Sequence, residues 1–135
     1  MIIGNGIDII EIIRLQHSIE KYESHFLEHI FTKQEQTLAE SKGEMRYAFY
    51  AGRWAAKEAV AKALGTGFGP KCSWTDIDIS NDSLGRPVVT LSGVTAETAK
   101  ELGIDSWHIS ISHDREYACA NAIAEKSSEG LGARD

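Results

Sequence analysis

The sequence predicts an α+β domain with its helices first and its antiparallel strands after. Apolar residues recur at helical spacing from Ile12 to Leu64, then alternate with polar ones from Trp74 onward. Turn chemistry at Asn81–Pro87 and around His113-Asp114-Arg115 divides the second half into short pieces. Helices segregated from a run of strands are the pattern of α+β rather than α/β architecture.

Each element follows from its own residues. Residues 2–10 (IIGNGIDII) are rich in β-branched side chains and read as a strand. Asn5-Gly6 could form a hairpin turn, but only four residues precede the pair, so the strand is preferred. Ile12, Ile13, Leu15, Ile19 and Tyr22 then mark a helix, and Ser24–Phe31 a short second one. Thr32 followed by Glu35 is a capping-box signature for a third. Residues 44–64 form a long helix that ends at Gly65, the residue type favoured just past a helix C-terminus. Trp74–Ser80 and Val88–Ser92 read as strands, 94–102 as a helix, and Ser106–Ser112 and Glu116–Ala124 as two more strands. The later strands are expected to form one antiparallel meander.

The 135 residues fit one domain, expected to span 1–125. The segment from Lys126 to Asp135 is Ser/Gly-rich without periodicity and is expected to be a disordered tail. A net charge of −6 argues against a nucleic-acid binder, though it leaves room for a local basic patch. No apolar run approaches the roughly 20 residues of a membrane span. The apolar N-terminus has no basic lead and contains Asp8, unlike a signal peptide. A cytoplasmic protein that acts on neither nucleic acid nor membrane is expected. Cys72 and Cys119 are far apart, form no CxxC and lack clustered histidines, so reduced, non-ligating thiols are expected.

Asp8 sits in a run of isoleucines, where an unpaired carboxylate is costly. It is either a metal or catalytic carboxylate or an ordinary residue at a strand edge or in a turn. In the helix AGRWAAKEAVAKAL, successive residues turn by about 100°. Arg53 and Lys57 therefore share one side, while Glu58 and Lys62 share roughly the opposite one. With no clean polar face, at least one of these pairs should meet a cleft or interface. The plainer alternative is a solvated Glu58–Lys62 pair at i,i+4. Asp8 and Glu58 together would suit Mg²⁺, which takes one or two carboxylates plus substrate phosphates. Lys62, Arg53 and Lys57 would then complement a polyphosphate. Gly65-Thr66-Gly67-Phe68-Gly69 follows a helix rather than opening one, so it is not a P-loop; it reads as a cap and turn, or else as a phosphate cradle whose exposed backbone N–H groups meet a ligand. In SWHISISH, His108, Ser110 and Ser112 take one strand face and His113 closes the strand. They could line an anion site or merely face water.

In order and spacing these segments resemble the holo-[acyl-carrier-protein] synthase family, over about residues 3–124. The residues carrying the resemblance are Gly6-Ile7-Asp8-Ile9, the block from Phe49 to Ala59 with its GRWAAKEA core, and Lys62-Ala63-Leu64-Gly65-Thr66-Gly67. Asp76-Ile77, Gly85-Arg86-Pro87 and His108-Ile109-Ser110-Ile111-Ser112-His113 complete it. The resemblance implies the 4′-phosphopantetheinyl transferase fold, assembled as a homotrimer with active sites between subunits. It implies Mg²⁺-dependent transfer of the 4′-phosphopantetheine arm of coenzyme A, the co-substrate, to a serine of apo acyl carrier protein. 3′,5′-ADP would leave, and the reaction would serve fatty acid biosynthesis.

By the same resemblance Asp8 and Glu58 hold the metal and, with Lys62, form the catalytic set. Lys62 meets the diphosphate, Arg53 and Arg46 lie near the nucleotide 3′-phosphate, and Gly65, Thr66 and Gly67 lie beside the nucleotide. His108 and His113 approach coenzyme A from the neighbouring subunit. Arg14 matches a carrier-docking arginine, whereas His25 and His29 stand where family members present arginines, amid Glu20, Glu23 and Glu28. The alternative function is a coenzyme A-binding module of the same fold without turnover.

Overall fold

A computed structural model of the chain describes residues 1–128. Strand β1 (Ile2–Glu11) leads into α1 (Ile12–Ile30), α2 (Lys33–Glu40) and α3 (Arg46–Leu64). Then come β2 (Ile77–Asn81), β3 (Pro87–Leu91), α4 (Gly93–Glu101), β4 (Ser106–His113) and β5 (Tyr117–Glu125). The α+β expectation holds, and among the described residues no helix is long and apolar enough to cross a membrane.

The seam between β1 and α3 organises the fold. Gly4, Gly6 and Asp8 lie on the strand face turned toward α3. A Cβ on Gly4 would sit 1.9 Å from the Ala63 carbonyl oxygen, and one on Gly6 would sit 2.0 Å from that of Ala59. Strand and helix thus touch backbone to backbone, which only glycine permits. β5 continues the rule, with Ala118, Ala120, Ala122 and Ala124 all buried beneath α3. A second apolar cluster joins α1, α2 and the start of α3 through Leu15, Ile19, Phe31 and Tyr50.

The capping box forms as read: Thr32 Oγ1 accepts the Glu35 amide at 3.1 Å, and Glu35 Oε1 accepts the Thr32 amide at 2.9 Å. Gly65 takes a left-handed φ of 80° and closes α3. The two helices expected over 12–31 form one element broken at Glu23, whose φ of 49° and ψ of −129° are non-helical.

Two expectations are corrected. Trp74–Asp76 is a 3₁₀ turn, not the start of a strand. Asp76 is drawn away to accept the backbone amide and hydroxyl of Thr95 in the first turn of α4. Nor do the late strands make one meander. β2 and β3 form their own hairpin, α4 intervenes, and β5 lies between β1 and β4. The edge of β5 that a meander would leave open is taken by the N-terminal strand, with Asp8 opposite Ala120.

Of the expected tail, Lys126 exchanges backbone hydrogen bonds with Met1, and the Ser127 amide donates to Asp105. Residues 129–135 lie outside the described residues.

Candidate active site

The β1–α3 seam brings Asp8 to Glu58 and Lys62. Lys62 Nζ donates to Asp8 Oδ1 at 3.1 Å and to the Ile7 carbonyl at 2.9 Å. The Asp8 side chain is mostly buried, whereas half of Lys62 remains exposed. Glu58 lies one helical turn before Lys62, at the same opening. Burial pushes its carboxyl above the usual range, the charge of Asp8 raises it further, and Lys62 opposes both. Two carboxylates meeting at one opening suit a divalent cation, and an all-oxygen pair suits Mg²⁺.

Beyond Lys62 the chain turns through Gly65 and Gly67, at φ values of 80° and 62°, and leaves Thr66 exposed. An aromatic row follows that the sequence alone did not suggest. Phe26 stacks on Trp54, Trp54 packs on Trp74, and Trp74 stacks on Phe68, from α1 to the glycine turn. Its one local signal is Trp54, four residues before Glu58 and so on the same helical face. Next to Asp8 a cavity of about 490 Å³ opens between Arg14, Phe26, Trp54 and Tyr117. Of the expected docking residues, Arg14 lines this cavity, while His25 and His29 are exposed on α1 beyond the break at Glu23.

The opposite face of α3 holds a different set. Arg53 is only 5% exposed. Its Nε donates to the Ile79 carbonyl at 3.2 Å, its Nη2 donates to Asn81 Oδ1 at 2.8 Å, and the guanidinium lies 4.2 Å from the Phe49 ring centre. With Lys42, Pro87 and His113 it lines a second cavity, of about 330 Å³. Arg46, bonded to the Gly43 carbonyl and the Tyr47 hydroxyl, stands at the same end of the helix.

The sequence reading of three cations around one polyphosphate is therefore corrected. Lys62 meets the carboxylates, Arg53 faces the other cavity, and Lys57 is fully buried in an ion pair with Glu35 at 2.7 Å. His108 and His113 also part company. An odd separation of five positions puts them on opposite faces of β4. His113 lines the Arg53 cavity, while His108 Nε2 lies 2.8 Å from Glu125 Oε1.

The sheet face turned away from α3 carries exposed apolar side chains, with Ile7 67% and Ile9 66% accessible. Half-buried Cys119 and Ile123 continue this face.

Residues 4–122 match the family model of the 4′-phosphopantetheinyl transferase superfamily. The chain is 51% identical to a holo-[acyl-carrier-protein] synthase of Clostridium novyi, over 96% of this chain and 92% of that protein. The fold is similar to the crystal structure of holo-[acyl-carrier-protein] synthase from Neisseria meningitidis, with a TM-score of 0.86, 33% identity, and coverage of 93% of this chain and 100% of that one. It is also similar to a Bacillus anthracis holo-(acyl-carrier-protein) synthase in complex with CoA (3′,5′-ADP), with a TM-score of 0.79, 41% identity, and coverage of 94% and 99%.

Proposed function

The chain belongs to the holo-[acyl-carrier-protein] synthase family of phosphopantetheinyl transferases, and from that premise we propose the reaction it performs. It transfers the 4′-phosphopantetheine arm of coenzyme A to a serine of an apo acyl carrier protein, releases 3′,5′-ADP, and depends on Mg²⁺. The observation that carries this reading is the meeting of Asp8, Glu58 and Lys62 at one opening.

Asp8 and Glu58 would hold the metal. Bound there, Mg²⁺ supplies Lewis-acid polarisation of the diphosphate. Lys62 places a charge-assisted donor on the same diphosphate and offsets negative charge on the leaving group. The serine hydroxyl attacks the β-phosphorus, the bond to the bridging oxygen breaks, and 3′,5′-ADP carries that oxygen away. The residues here mainly position two large substrates in line. Gly65, Thr66 and Gly67 offer close backbone approach to the nucleotide. The cavity beside Asp8, with Arg14 on its wall, receives the carrier, and His25 and His29 extend the docking surface along α1.

The active protein is a homotrimer. The exposed isoleucines of β1 give the sheet an apolar face suited to burial against other copies. Arg53, Arg46 and His113 face away from the carboxylates of their own chain, as expected if they serve a neighbour's pocket. They would meet the 3′-phosphate there. His108, held by Glu125 on the other face, is left out of this half. A cytoplasmic role in fatty acid biosynthesis fits this substrate pair.

The test is the intact mass of an apo acyl carrier protein after incubation with this protein, coenzyme A and Mg²⁺. A phosphopantetheine-sized gain, absent with EDTA and with Glu58→Ala, supports transfer and the metal site together. No gain while coenzyme A still binds would replace the enzyme with a binding module.

A further inference from the structure

The transfer reaction leaves Glu35 and Lys57 without a task, yet they are among the most buried charged side chains described, at 1% and 0% exposure. Burial pushes the Glu35 carboxyl up, and the facing Lys57 ammonium pulls it back. An apolar pair of similar volume would hold the core at least as well. What an apolar pair lacks is direction: apart from the capping-box bond of Glu35 to the Thr32 amide and their own ion pair, the directed bonds here end on one strip of backbone.

That strip runs from the turn at Trp74 into the edge of β2 facing away from β3. Instead of another strand, it meets side chains from two helices. Lys57 Nζ donates to the carbonyls of Trp74 and Ile77, and Glu35 Oε2 accepts the Ile79 amide at 2.7 Å. Arg53, one turn before Lys57, takes the Ile79 carbonyl and the Asn81 side chain. Thr32 adds a bond from its hydroxyl to Asp78. The edge is thus read out rung by rung, and the last rungs are Arg53 and Asn81 in the second cavity. Among the described residues Arg53 Nη1 has no partner, so that end of the guanidinium is left for a ligand.

We propose that Glu35 and Lys57 are positioning residues for the nucleotide half of the pocket, fixing the height of β2 along α3 so that Arg53 and Asn81 present one set geometry to the 3′-phosphate of coenzyme A. The inference rests on the assignment of that cavity under the proposed function. Glu35 and Lys57 touch no substrate; they act through Arg53.

The experiment compares calorimetric affinities for 3′,5′-ADP and 5′-AMP, which differ by the 3′-phosphate alone. Wild-type protein prefers 3′,5′-ADP, and Arg53→Ala flattens the preference. The double variant Glu35→Leu/Lys57→Met, shown to be folded by circular dichroism, loses at least roughly tenfold of the preference although Arg53 is intact. Its KM for coenzyme A rises while its KM for the carrier stays. Glu35→Asp keeps the charge and withdraws it by one methylene, and it shows a smaller loss in the same direction. It decides the matter should the double variant not fold. A folded double variant, or Glu35→Asp, with wild-type preference would overturn the proposal and leave the transferase assignment standing. Wild-type protein without any preference would overturn the assignment of the cavity, and this proposal with it.

Discussion

Lys62 and Asp8, 54 residues apart in the chain, meet through a 3.1 Å contact, and the same ammonium caps the Ile7 carbonyl. The lysine thereby ties the last turn of α3 to the strand that supplies the first carboxylate. Because half of its side chain is exposed, the pair contributes only a fraction of a kcal/mol, up to about 1, to stability. Under the proposed function its weight falls on the chemistry. Lys62→Met should lower kcat/KM for transfer by roughly 10²- to 10³-fold and leave the melting temperature within about 3 °C. A variant that keeps most of its activity in the intact-mass assay would remove Lys62 from the diphosphate.

Glu58 should be a stability liability in the metal-free protein. Its folded-state carboxyl is raised above the ordinary 4.5 by burial, then by Asp8. The folded chain therefore holds that proton more tightly than the unfolded chain does. Stability falls as pH rises through this window, and the penalty is complete above the raised value. Glu58→Gln should stabilise metal-free protein at pH 7 and raise its melting temperature, while abolishing transfer. The gain should fade as pH drops toward the ordinary carboxylate value. Mg²⁺ should raise the melting temperature of wild type only. Thermal scans at several pH values, with and without Mg²⁺, check all of this. Equal pH profiles for the two proteins would contradict it.

Gly6→Ala should separate the strand that carries Asp8 from its helix. The new Cβ would fall 2.0 Å from the Ala59 carbonyl oxygen, a backbone atom that cannot swing aside. β1 must lift, and Asp8 moves with it. A loss of about 2 kcal/mol in stability is expected, together with a loss of roughly 10²-fold or more in transfer. Denaturant titration beside the activity assay checks the pair of effects. Full activity in a folded Gly6→Ala protein would show that the spacing is not critical.

Assembly and a shared pocket are separable by two measurements. Ile9→Asp on the exposed sheet face should give a folded monomer by light scattering with little transfer activity. Asp8→Ala and Arg53→Ala, each inactive alone, should regain a fraction of wild-type activity when mixed and exchanged. Arg53 of one copy can then meet Asp8 of another. No recovery on mixing subunits that demonstrably exchange would place both halves of the pocket within one chain.

What could be read from the sequence was local. The Thr32–Glu35 box and the Gly65 cap need only neighbouring residues, and both appear in the structure. The division of α3 into an Arg53–Lys57 side and a Glu58–Lys62 side follows from helical geometry alone. What stands opposite each side does not. By sequence Lys57 reads as one of the phosphate-facing cations, because its partner Glu35 comes from another helix, through a capping motif that is sufficient explanation for it. Gly4 and Gly6 looked like strand residues or a turn, since nothing nearby shows that Ala59 and Ala63 press against them. Trp74–Asp76 alternates like a strand but is pulled into a turn by Thr95, 19 residues on from Asp76. The placement of His108 and His113 on opposite faces of β4 follows from strand alternation alone.

The glycine–alanine seam has a thermal consequence. Glycine and alanine have no side-chain rotamers to populate, so warming gives the contact no torsional freedom with which to loosen. The registration of Asp8 on Glu58 is referenced to backbone atoms and is insulated from the rotamer hopping that softens ordinary cores. Heating should therefore leave the geometry of the carboxylate pair unchanged up to cooperative unfolding, and catalytic competence should vanish together with the fold rather than ahead of it.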